Sequence, residues 1–600
     1  MTPPLSVLQR FEQHIQDRPD QLLYVFVDGK GRDQATTTYR QFGDATSSVA
    51  RFLIEDLGLE PGDRVLLVYP PSLDFVTAFI GCLVAGIMPV PVAPPNPMKL
   101  TNDLKAFESV AANSGSVAIL TDGSYLRAKR LAAAKDLFAR RGGAWSNLPW
   151  HRTDRLRPSS RPFPFHVPEL EDTAFLQYTS GSTSSPKGVM ITHGNILHQL
   201  AINSADLGLG LDSRSVMWVP HFHDFGLVSG ILSALHGNGA LYMMSPLSFL
   251  RRPYLWFDVM SRIRATHTAA PDFAYRLAVR KTTTEQRQGW DLSTLKVAMS
   301  AAEPIRASTV DGFLTAFTES QFSPEAFCPA YGLAEHTVGV SVFGRRRLRV
   351  ERDPLEHDRK VVAAADDDAD ALTLFGCGPP SEAVDVRIVD PESRQELSGD
   401  QVGEIWVDSP SKAAGYYGLD ELSEQAFRAR LAGASSTSDR GYLRTGDLGF
   451  CFEGEVFVTG RIKDLIILRG RNLYPQDLEE SVFSSHELIR PGRAVAFSAP
   501  PSEGNGHGGG REREQIVMMT EVLSKKVTAQ QLDEVVRAAR SSVQHDHGIS
   551  CDVLLVAQPG EILKTTSGKV RRQACRQAYL DGTLQDRLLC VDVKPPHKTS

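Results

Sequence analysis

A single segment, residues 178–188 (YTSGSTSSPKG), restricts the fold of this chain more than any other. It combines several hydroxyl side chains with two glycines and Lys187. Hydroxyl groups and free backbone N–H groups donate hydrogen bonds to phosphate oxygens, and glycine lets the backbone approach a ligand closely. The pattern of residues 173–178 predicts a buried strand before the segment, and residues 193–200 predict the start of a helix after it. A strand, a loop rich in donors and a helix in this order predict a polyphosphate-binding site.

This loop has two other interpretations, a Walker A loop and a loop without function. A Walker A loop requires the pattern G-x-x-x-x-G-K-[ST]. Here Gly181 is followed five positions later by Pro186, and Lys187 is followed by Gly188, so the pattern is not met. A serine- and glycine-rich loop without function is the plainer interpretation, and the strand before the loop and Lys187 at its end argue against it.

Predicted strands and helices alternate along most of the chain. Such alternation predicts an α/β fold with mostly parallel sheets covered by helices. Residues 384–389 and 402–407 predict two strands with no helix between them, and therefore a small antiparallel sheet or distorted barrel packed on the α/β core. The other predicted elements are strands at 63–69, 89–92, 117–121, 216–220 and 239–244 and a helix at 73–84.

A domain boundary is predicted near residue 460. The residues that follow predict short strands at 494–497, 515–520 and 551–556 and a helix at 528–543, which together indicate a smaller α+β domain. Between these strands, residues 501–511 have the composition of a flexible loop. The predicted organisation is an N-terminal domain at 1–460, a C-terminal domain at 461–590 and a tail at 591–600.

The composition excludes several classes of protein. With 42% hydrophobic and 23% charged residues, the chain has the values of a soluble globular enzyme. A net charge of -6 argues against a nucleic-acid partner. Seven scattered cysteines without a C-x-x-C pair favour reduced thiols in the cytoplasm. The first ten residues lack the basic start and apolar core of a signal peptide.

One apolar run, residues 75–94, has the length of a membrane span. Pro89 and Pro91 interrupt it near its end, and Gly86 is placed as a helix stop. A buried helix followed by a short strand is therefore favoured, and no integral membrane span is expected.

Three further motifs follow the loop in a fixed order: residues 331–337 (YGLAEHT), 444–449 (RTGDLG) and 563–572 (LKTTSGKVRR). Together with the loop they resemble the motifs of adenylate-forming enzymes, a superfamily of acyl-CoA synthetases, luciferases, peptide-synthetase adenylation domains and fatty acyl-AMP ligases. The resemblance covers nearly the whole chain. It implies that a carboxylate and ATP react to an acyl-adenylate and pyrophosphate, with Mg²⁺ bound to the phosphates.

The resemblance also implies roles for individual residues. Glu335 would hold Mg²⁺, a hard cation that prefers carboxylate oxygen. Asp447 would accept hydrogen bonds from both ribose hydroxyls, Arg461 would reach the ribose or a phosphate, and Lys569 would bridge the carboxylate and the α-phosphate. The implied phosphate-loop residues are Thr179, Ser180, Gly181, Ser182, Thr183 and Lys187, and the implied adenine-side residues are Ala302, Glu303, Tyr331 and Gly332.

Each of these motifs also has a plainer interpretation. Glu335 could be an ordinary loop glutamate, residues 445–447 a simple turn, and the basic run around Lys569 a solvated surface. The common order of the motifs favours function. Lys463 stands where the superfamily places the hinge about which its smaller domain rotates, but a surface lysine fits equally well. His336 departs from the small residue usual at its position.

His221, His223 and Asp224 lie within residues 220–227 (PHFHDFGL) and are all possible zinc ligands. Their close spacing, without a second pair of ligands elsewhere, argues against zinc. By resemblance, this motif lies where the acyl pocket meets the nucleotide. His223 is therefore predicted to orient the substrate carboxylate as a hydrogen-bond donor.

Within the superfamily, the motif details favour fatty acyl-AMP ligases over CoA ligases. Gly376 follows Glu335 after 41 positions, far more than a common connection of roughly 4–6 residues. Most of this gap, residues 343–374, resembles the insertion of fatty acyl-AMP ligases, which implies restraint of the small domain and poor use of CoA. Residues 300–304 (SAAEP) depart from the Asn-Gly that this branch has before Ala-Glu-Pro. The remaining similar segments are residues 75–94, 223–227, 244–253, 265–275 and 470–478.

The predicted function is activation of a medium- or long-chain fatty acid as its adenylate and transfer to the phosphopantetheine of an acyl carrier protein. Because no carrier domain is recognised in the sequence, the carrier is expected in trans, on a polyketide or lipopeptide synthase. A long-chain fatty acyl-CoA synthetase is the nearest alternative. A non-catalytic nucleotide- or lipid-binding relative is another, and it need not keep the whole set of Lys187, Glu335, Asp447, Arg461 and Lys569.

Overall fold

The computed structural model describes most of the chain. Of the predicted site residues, Ser180, Gly181, Ser182 and Thr183 lie outside the described part. The described residues are 5–96, 100–138, 147–159, 161, 163–179, 186–237, 239–368, 370–433, 441–468, 471–500, 514–565 and 568–593.

The largest sheet of the described residues has eight strands. Its six inner strands pair in parallel, and one antiparallel strand closes each edge. Several inner strands, such as Val297–Ser300, are buried along their whole length, as expected for a parallel sheet covered on both faces. The spatial order is Ser341–Val342, Phe327–Tyr331, Val297–Ser300, His267–Ala270, Arg214–Met217, Ala240–Met244, Leu22–Val27 and Asp33–Thr38.

A second, fully parallel sheet is built from the N-terminal residues. The helix Leu73–Val84 packs into the core beside it and has the bounds that the sequence predicts. Gly86 follows that helix at φ +74°, a conformation that glycine adopts without strain and that ends the helix. The α/β class with parallel sheets is therefore confirmed. The strands lie in the order Met88–Pro91, Arg64–Leu67, Ala118–Thr121 and Trp150–Arg152.

Helices cover the sheets, and several begin at a hydroxyl residue whose side chain accepts a hydrogen bond from the first turn, as Thr38, Thr192 and Thr528 do. The α-helices are Val7–Asp17, Tyr39–Arg51, Leu73–Val84, Leu100–Ser114, Gly123–Phe138, His193–Leu207, Asp224–Gly226, Ser233–Leu235, Pro246–Arg251, Tyr254–Arg262, Asp272–Lys281, Thr284–Gln288, Ala307–Ala316, Arg352–Asp358, Asp420–Phe427, Pro475–Ser484, Ala529–His547 and Arg572–Leu580.

The predicted order of a strand, a loop and a helix around residues 178–188 was wrong in one point. The loop lies between two antiparallel strands, Thr173–Thr179 and Lys187–Thr192, in which Thr179 pairs with Lys187. The helix His193–Leu207 follows only after the second strand. Val189 and Ile191 are fully buried and Met190 between them is less buried, which fits the two-residue period of a strand.

The all-β part is a four-stranded antiparallel sheet. It contains the two predicted strands, observed at Asp385–Val389 and Gly403–Asp408, and a hairpin of Leu443–Phe452 and Glu455–Arg461. Asp447 pairs with Arg461 across this hairpin. The antiparallel hairpin therefore brings two predicted site residues together.

Residues from Ile466 onward form hydrophobic clusters of their own. We call this part the C-terminal unit. The predicted boundary at 460/461 falls at the end of the strand Glu455–Arg461 and stays a prediction. The strand Leu588–Val593 continues three residues into the predicted tail. The unit has a hairpin of Ile466–Leu468 and Arg471–Leu473 and a sheet in the order Ile489–Ala499, Gln515–Val522, Val553–Ala557 and Leu588–Val593.

The predicted insertion at 343–374 is folded. Its strands Arg347–Val350 and Leu372–Phe375 pair antiparallel, and the helix Arg352–Asp358, here called the insertion helix, lies between them. Val350 and Leu355 are buried in a cluster with Phe450 and Phe457 of the antiparallel hairpin. The insertion therefore packs on the all-β part.

Among the described residues, no helix combines the length and the apolar character that a membrane crossing requires.

Replacement of Gly332 by alanine should disturb the turn between Tyr331 and Glu335. A Cβ atom at this position would lie 1.8 Å from the carbonyl oxygen of Val338, so the backbone would have to move. We expect a loss of about 1–3 kcal/mol in stability, as for other overpacked sites, and weaker ATP binding. Thermal melting and ATP titration measure the two effects. Gly312→Ala is the matched control, because a Cβ there meets no atom within 4 Å; equal effects of both substitutions would contradict the prediction.

Candidate active site

Glu335 lies in a short turn, Ala334–His336, directly after the buried strand Phe327–Tyr331. The backbone N–H of Ala413 donates to the carbonyl oxygen of Glu335 at 3.0 Å. The hydroxyl of Tyr416 donates to Glu335 Oε1, also at 3.0 Å. The loop around residues 409–417 therefore fixes both the backbone and the carboxylate of Glu335.

Tyr416 also contacts Lys187. The Lys187 Nζ atom lies 4.8 Å from the centroid of the Tyr416 ring, and Tyr416 forms a β-bridge with Val189 on the same strand as Lys187. Burial and the nearby Lys463 lower the pKa of Lys187, whereas Glu335 acts in the opposite direction. Tyr416 thus joins two predicted site residues, and sequence reasoning missed it because a tyrosine in a small-residue loop carries no chemical signal of its own.

His336 explains part of this geometry. Its ring is fully buried, and burial lowers its pKa to about 4, so the imidazole is neutral near pH 7. Nδ1 lies 2.7 Å from the carbonyl oxygen of Gly339, which can only accept, so Nδ1 carries the proton. Nε2 then accepts from the hydroxyl of Ser409 at 2.6 Å. The large side chain at this position therefore ties the Glu335 turn to the 409–417 loop.

Asp447 is 5% exposed and engages both of its carboxylate oxygens. The Tyr331 hydroxyl donates to Oδ2 at 2.8 Å, and Arg461 Nε donates to Oδ1 at 2.7 Å. Asp447 raises the pKa of the Arg461 guanidinium, and burial, followed by Asp447, raises that of Tyr331. An ionised carboxylate has about four lone-pair sites, so two remain for further donors such as ribose hydroxyls.

One of the residues predicted to lie on the adenine side has an unusual backbone conformation. Ala302 has φ +72°, a left-handed conformation that is uncommon for a residue other than glycine. The carboxylate of the next residue, Glu303, accepts a hydrogen bond from the backbone N–H of Phe273. Backbone strain of this kind concentrates at functional sites.

His223 and Asp224 are in contact at the start of a helical segment that continues as a π-helical turn, Leu227–Leu232. Burial alone would raise the pKa of Asp224, but His223, together with Lys569, holds it below its ordinary value. His221 is buried and its pKa is lowered to about 3 by that burial. Among the described residues, no group of three or more His, Cys, Asp or Glu side chains is placed to hold a metal ion.

Lys569 reaches this site from the C-terminal unit. The side chain of Lys569 is exposed, yet the surrounding protein displaces much of the water around its ammonium group. This desolvation lowers the pKa of Lys569, and Arg461 lowers it further. Asp224, Asp447 and Glu303 act on that pKa in the opposite direction. The loop before Lys569 lies against the helix Asp272–Lys281, since a Cβ on Gly568 would be 3.6 Å from the Phe273 ring.

Lys463 lies in the turn Ile462–Asp464, immediately after Arg461. Its carbonyl oxygen accepts a hydrogen bond from Gln573 Nε2 at 3.1 Å, and the residue is exposed. Its electrostatic effect on Lys187 indicates that the two lysines lie near each other. Its predicted role as a hinge stays a prediction.

The structure thus brings most of the predicted residues into one place. Two groups form, one around Glu335 and Lys187 and one around Asp447, and Lys569 lies near the second. Thr179 pairs with Lys187 across the hairpin, and Gly332 lies just before the turn that contains Glu335. The residues brought together are Lys187, His223, Asp224, Glu303, Tyr331, Glu335, Asp447, Arg461, Lys463 and Lys569.

Comparison with known proteins agrees with this geometry. Residues 11–417 match the family described as AMP-binding enzyme. The medium-chain-fatty-acid–[acyl-carrier-protein] ligase JamA of Moorena producens is 37% identical, over 94% of this chain and 93% of that protein. The long-chain-fatty-acid–AMP ligase FadD32 of Mycolicibacterium smegmatis is 34% identical, over 97% and 95%.

A solved structure is similar over almost the whole chain. The fatty acyl-adenylate ligase of Legionella pneumophila, in complex with acyl adenylate and pyrophosphate, is 32% identical, with a TM-score of 0.71 and 98% of both chains covered. The family match, the relatives and the arrangement of the four motifs lead to one assignment. The chain belongs to the AMP-binding enzyme family of adenylate-forming enzymes, in the branch of the fatty acyl-AMP ligases.

Proposed function

We propose that this ligase activates a medium- or long-chain fatty acid with ATP and transfers the acyl group to the phosphopantetheine thiol of an acyl carrier protein. The observation that carries the proposal is the position of Lys569, which shares a site with Asp447, Arg461 and Asp224 although it belongs to another unit. The names of the relatives support both the fatty-acid substrate and the carrier.

In the first step a carboxylate oxygen attacks the α-phosphorus of ATP, and the bond to the β-phosphate oxygen breaks with release of pyrophosphate. Both reactants are anions, so the step needs positive charge at the point of attack. Lys569 supplies it between the carboxylate and the α-phosphate, and His223 orients the carboxylate. Asp447 holds the ribose, and Arg461 neutralises the charge of Asp447. The Arg461 side chain remains about half exposed, at 55%.

Lys187 and the hairpin that carries it would hold the leaving β- and γ-phosphates. Its position over the Tyr416 ring keeps the ammonium group on the side of Glu335. In the second step the carrier thiolate attacks the acyl carbonyl, and AMP leaves with the electron pair of the broken C–O bond. The reaction then needs Lys569 to withdraw, which the proposed rotation at Lys463 provides.

Glu335 fits a magnesium ligand. Tyr416 donates to one of its oxygens, and among the described residues no side chain donates to the second oxygen. Mg²⁺ is commonly held by one or two carboxylates together with substrate phosphates, so a single protein carboxylate suffices. Bound there, Mg²⁺ would neutralise charge on the pyrophosphate.

The insertion is proposed to hold the C-terminal unit in the adenylating position. Asn472 Nδ2 donates to the carbonyl oxygen of Glu356 at 2.8 Å, and Arg471 forms an ion pair with the Glu356 carboxylate. Arg352 lies 3.0 Å from His547 Nδ1. These contacts with the insertion helix restrain the C-terminal unit and favour transfer to a bulky carrier over free CoA.

The carrier is proposed to belong to a polyketide or lipopeptide synthase, and the reaction is placed in the cytoplasm, in keeping with seven free cysteines. A fatty acyl-CoA synthetase remains the second candidate because the chemistry of the first step is the same. Mass spectrometry of the products with ATP, Mg²⁺ and a panel of fatty acids, with CoA or with a phosphopantetheinylated carrier, separates the two. Acyl-adenylate that persists with CoA and disappears with the carrier supports the proposal; conversion to acyl-CoA overturns it.

Lys569→Ala should abolish acyl-adenylate formation and leave ATP binding largely intact. The ammonium group acts on the transition state, in which charge is transferred, more than on bound ATP. Pyrophosphate release and ATP titration measure the two properties. The exposed Lys526→Ala is the matched control. Adenylation that survives in the Lys569 variant would remove this residue from its proposed role.

Tyr416→Phe should lower kcat/KM for adenylation roughly tenfold and weaken the apparent affinity for Mg²⁺. A hydrogen bond to a charged group contributes about 1.5–3 kcal/mol, and the ring over Lys187 is kept. The rate of pyrophosphate release over a Mg²⁺ titration measures this change. Tyr417→Phe next to it is the control, and the same response from both variants would contradict a specific role of Tyr416.

Glu356→Gln should loosen the C-terminal unit and increase acyl transfer to free CoA several-fold. The change leaves Arg471 without its anionic partner and keeps the shape of the side chain. The ratio of acyl-CoA to acyl-adenylate is the measurement. Asp366→Asn at the acidic tip of the insertion is the control. An unchanged ratio in the Glu356 variant would count against the restraining role.

A further inference from the structure

The helix Pro475–Ser484 of the C-terminal unit, here called the docking helix, contacts side chains of the N-terminal helices Asp272–Lys281 and Ala307–Ala316. Arg306, just before the second of these helices, forms an ion pair with Glu480 of the docking helix. Arg306 Nη2 also donates to the carbonyl oxygen of Gln476 at 3.4 Å. Ser308 Oγ donates to Glu480 Oε1 at 3.1 Å. One arginine therefore contacts two successive turns of the docking helix.

A second contact with the docking helix involves the ring of Phe483. Two guanidinium groups lie near the ring of Phe483, with Arg306 Cζ at 5.2 Å and Arg276 Cζ at 5.1 Å from its centroid. The Arg306 side chain is 16% exposed. Partly desolvated cation–π contacts and ion pairs are stronger than the same contacts on an open surface. The seam between the two units is therefore held by specific polar contacts.

Arg306 is itself held rigidly on its own side. Its backbone N–H donates to Asp272 Oδ1 at 3.2 Å, and Thr309 Oγ1 donates to Asp272 Oδ2 at 2.8 Å. Asp272 is 1% exposed, and burial, with Glu303 nearby, raises its pKa to about 7. The arginine therefore projects from a fixed point of the N-terminal core, three residues after Glu303.

The docking helix is in turn joined to the loop of Lys569. Arg572, three residues after Lys569, donates from Nε to Glu479 Oε1 at 2.7 Å and from Nη2 to Oε2 at 2.8 Å. Its Nη1 donates to Asp464 Oδ2 at 2.9 Å. Glu479 precedes Glu480 on the docking helix and is 4% exposed. Because the geometry of a bidentate pair is fixed, this buried pair fixes the position of Arg572 relative to the docking helix.

We propose that Arg306 is a positioning residue for the adenylation step: by holding Glu480 and Phe483 of the docking helix it places Lys569 in the site through the Glu479–Arg572 pair. The contact belongs to one arrangement of the two units and has to break when the C-terminal unit rotates. This inference rests on the proposed rotation at Lys463. It adds a second point of attachment, distinct from that of the insertion helix, close to the adenine-side residues.

The two half-reactions separate this role from a general structural one. Arg306→Met should slow single-turnover formation of acyl-adenylate by roughly tenfold to a hundredfold, because a displacement of about 1 Å can cost that much. KM for ATP should stay within about twofold, and so should the rate of transfer from preformed acyl-adenylate to the phosphopantetheinylated carrier. Equal slowing of both steps, or no slowing of adenylation, would overturn the inference.

Charge reversal adds a readout that a folding defect does not imitate. Arg306→Glu and Glu480→Arg should each slow adenylation, and the double variant should recover at least about tenfold relative to either single variant. Absence of recovery counts against the proposal. Glu480→Gln tests the contact from the other partner if Arg306 variants fold poorly, and it must show the same selective loss.

Arg262→Met is the matched control, because Arg262 forms an ion pair with Asp33 at 2.7 Å away from the docking helix. It should leave both half-reactions unchanged, and slowing of adenylation by this variant would mean that any lost ion pair has the same effect. The outcome for Lys569→Ala is independent: its activity tests the proposed chemistry, whereas the Arg306 series tests only how Lys569 is positioned.

Discussion

The ion pair between Arg461 and Asp447 is the interaction on which the rest of the site depends. It lies where the antiparallel hairpin ends and the chain leaves for the C-terminal unit. The pair holds the buried Asp447 carboxylate in place, and the Tyr331 hydroxyl donates to its second oxygen. Other charged groups with predicted roles lie near this point, including Lys569 of the C-terminal unit.

Around this pair, the structure joins motifs that are far apart in the sequence through Tyr416, which belongs to no motif, and through His336, which lies inside one. The loop near Tyr416 connects the hairpin of Lys187 with the turn of Glu335. His336 fastens that turn to Ser409 through a neutral ring. Each connection is a polar contact inside a well-packed region, where geometry is fixed by packing and the hydrogen bonds gain strength from the low dielectric.

Features that depend on local patterns could be predicted from the sequence. The helix Leu73–Val84 was predicted to the residue because an apolar run ends at Gly86, which takes the left-handed conformation there. The strand Lys187–Thr192 was missed because six residues that begin with lysine and glycine give a weak strand signal beside a strong loop signal. Tyr416 and Arg306 were missed for a different reason: their partners, Glu335 and Glu480, lie 81 and 174 positions away, and no local pattern encodes such a contact.

The short segment from Ala302 to Arg306 has a consequence for the thermodynamics of the whole cycle. At one end Ala302, predicted to lie on the adenine side, has a left-handed backbone conformation, and at the other end Arg306 forms an ion pair with the docking helix. Any ligand that orders this segment therefore changes the free energy of domain closure, and closure changes the affinity for that ligand by the same amount.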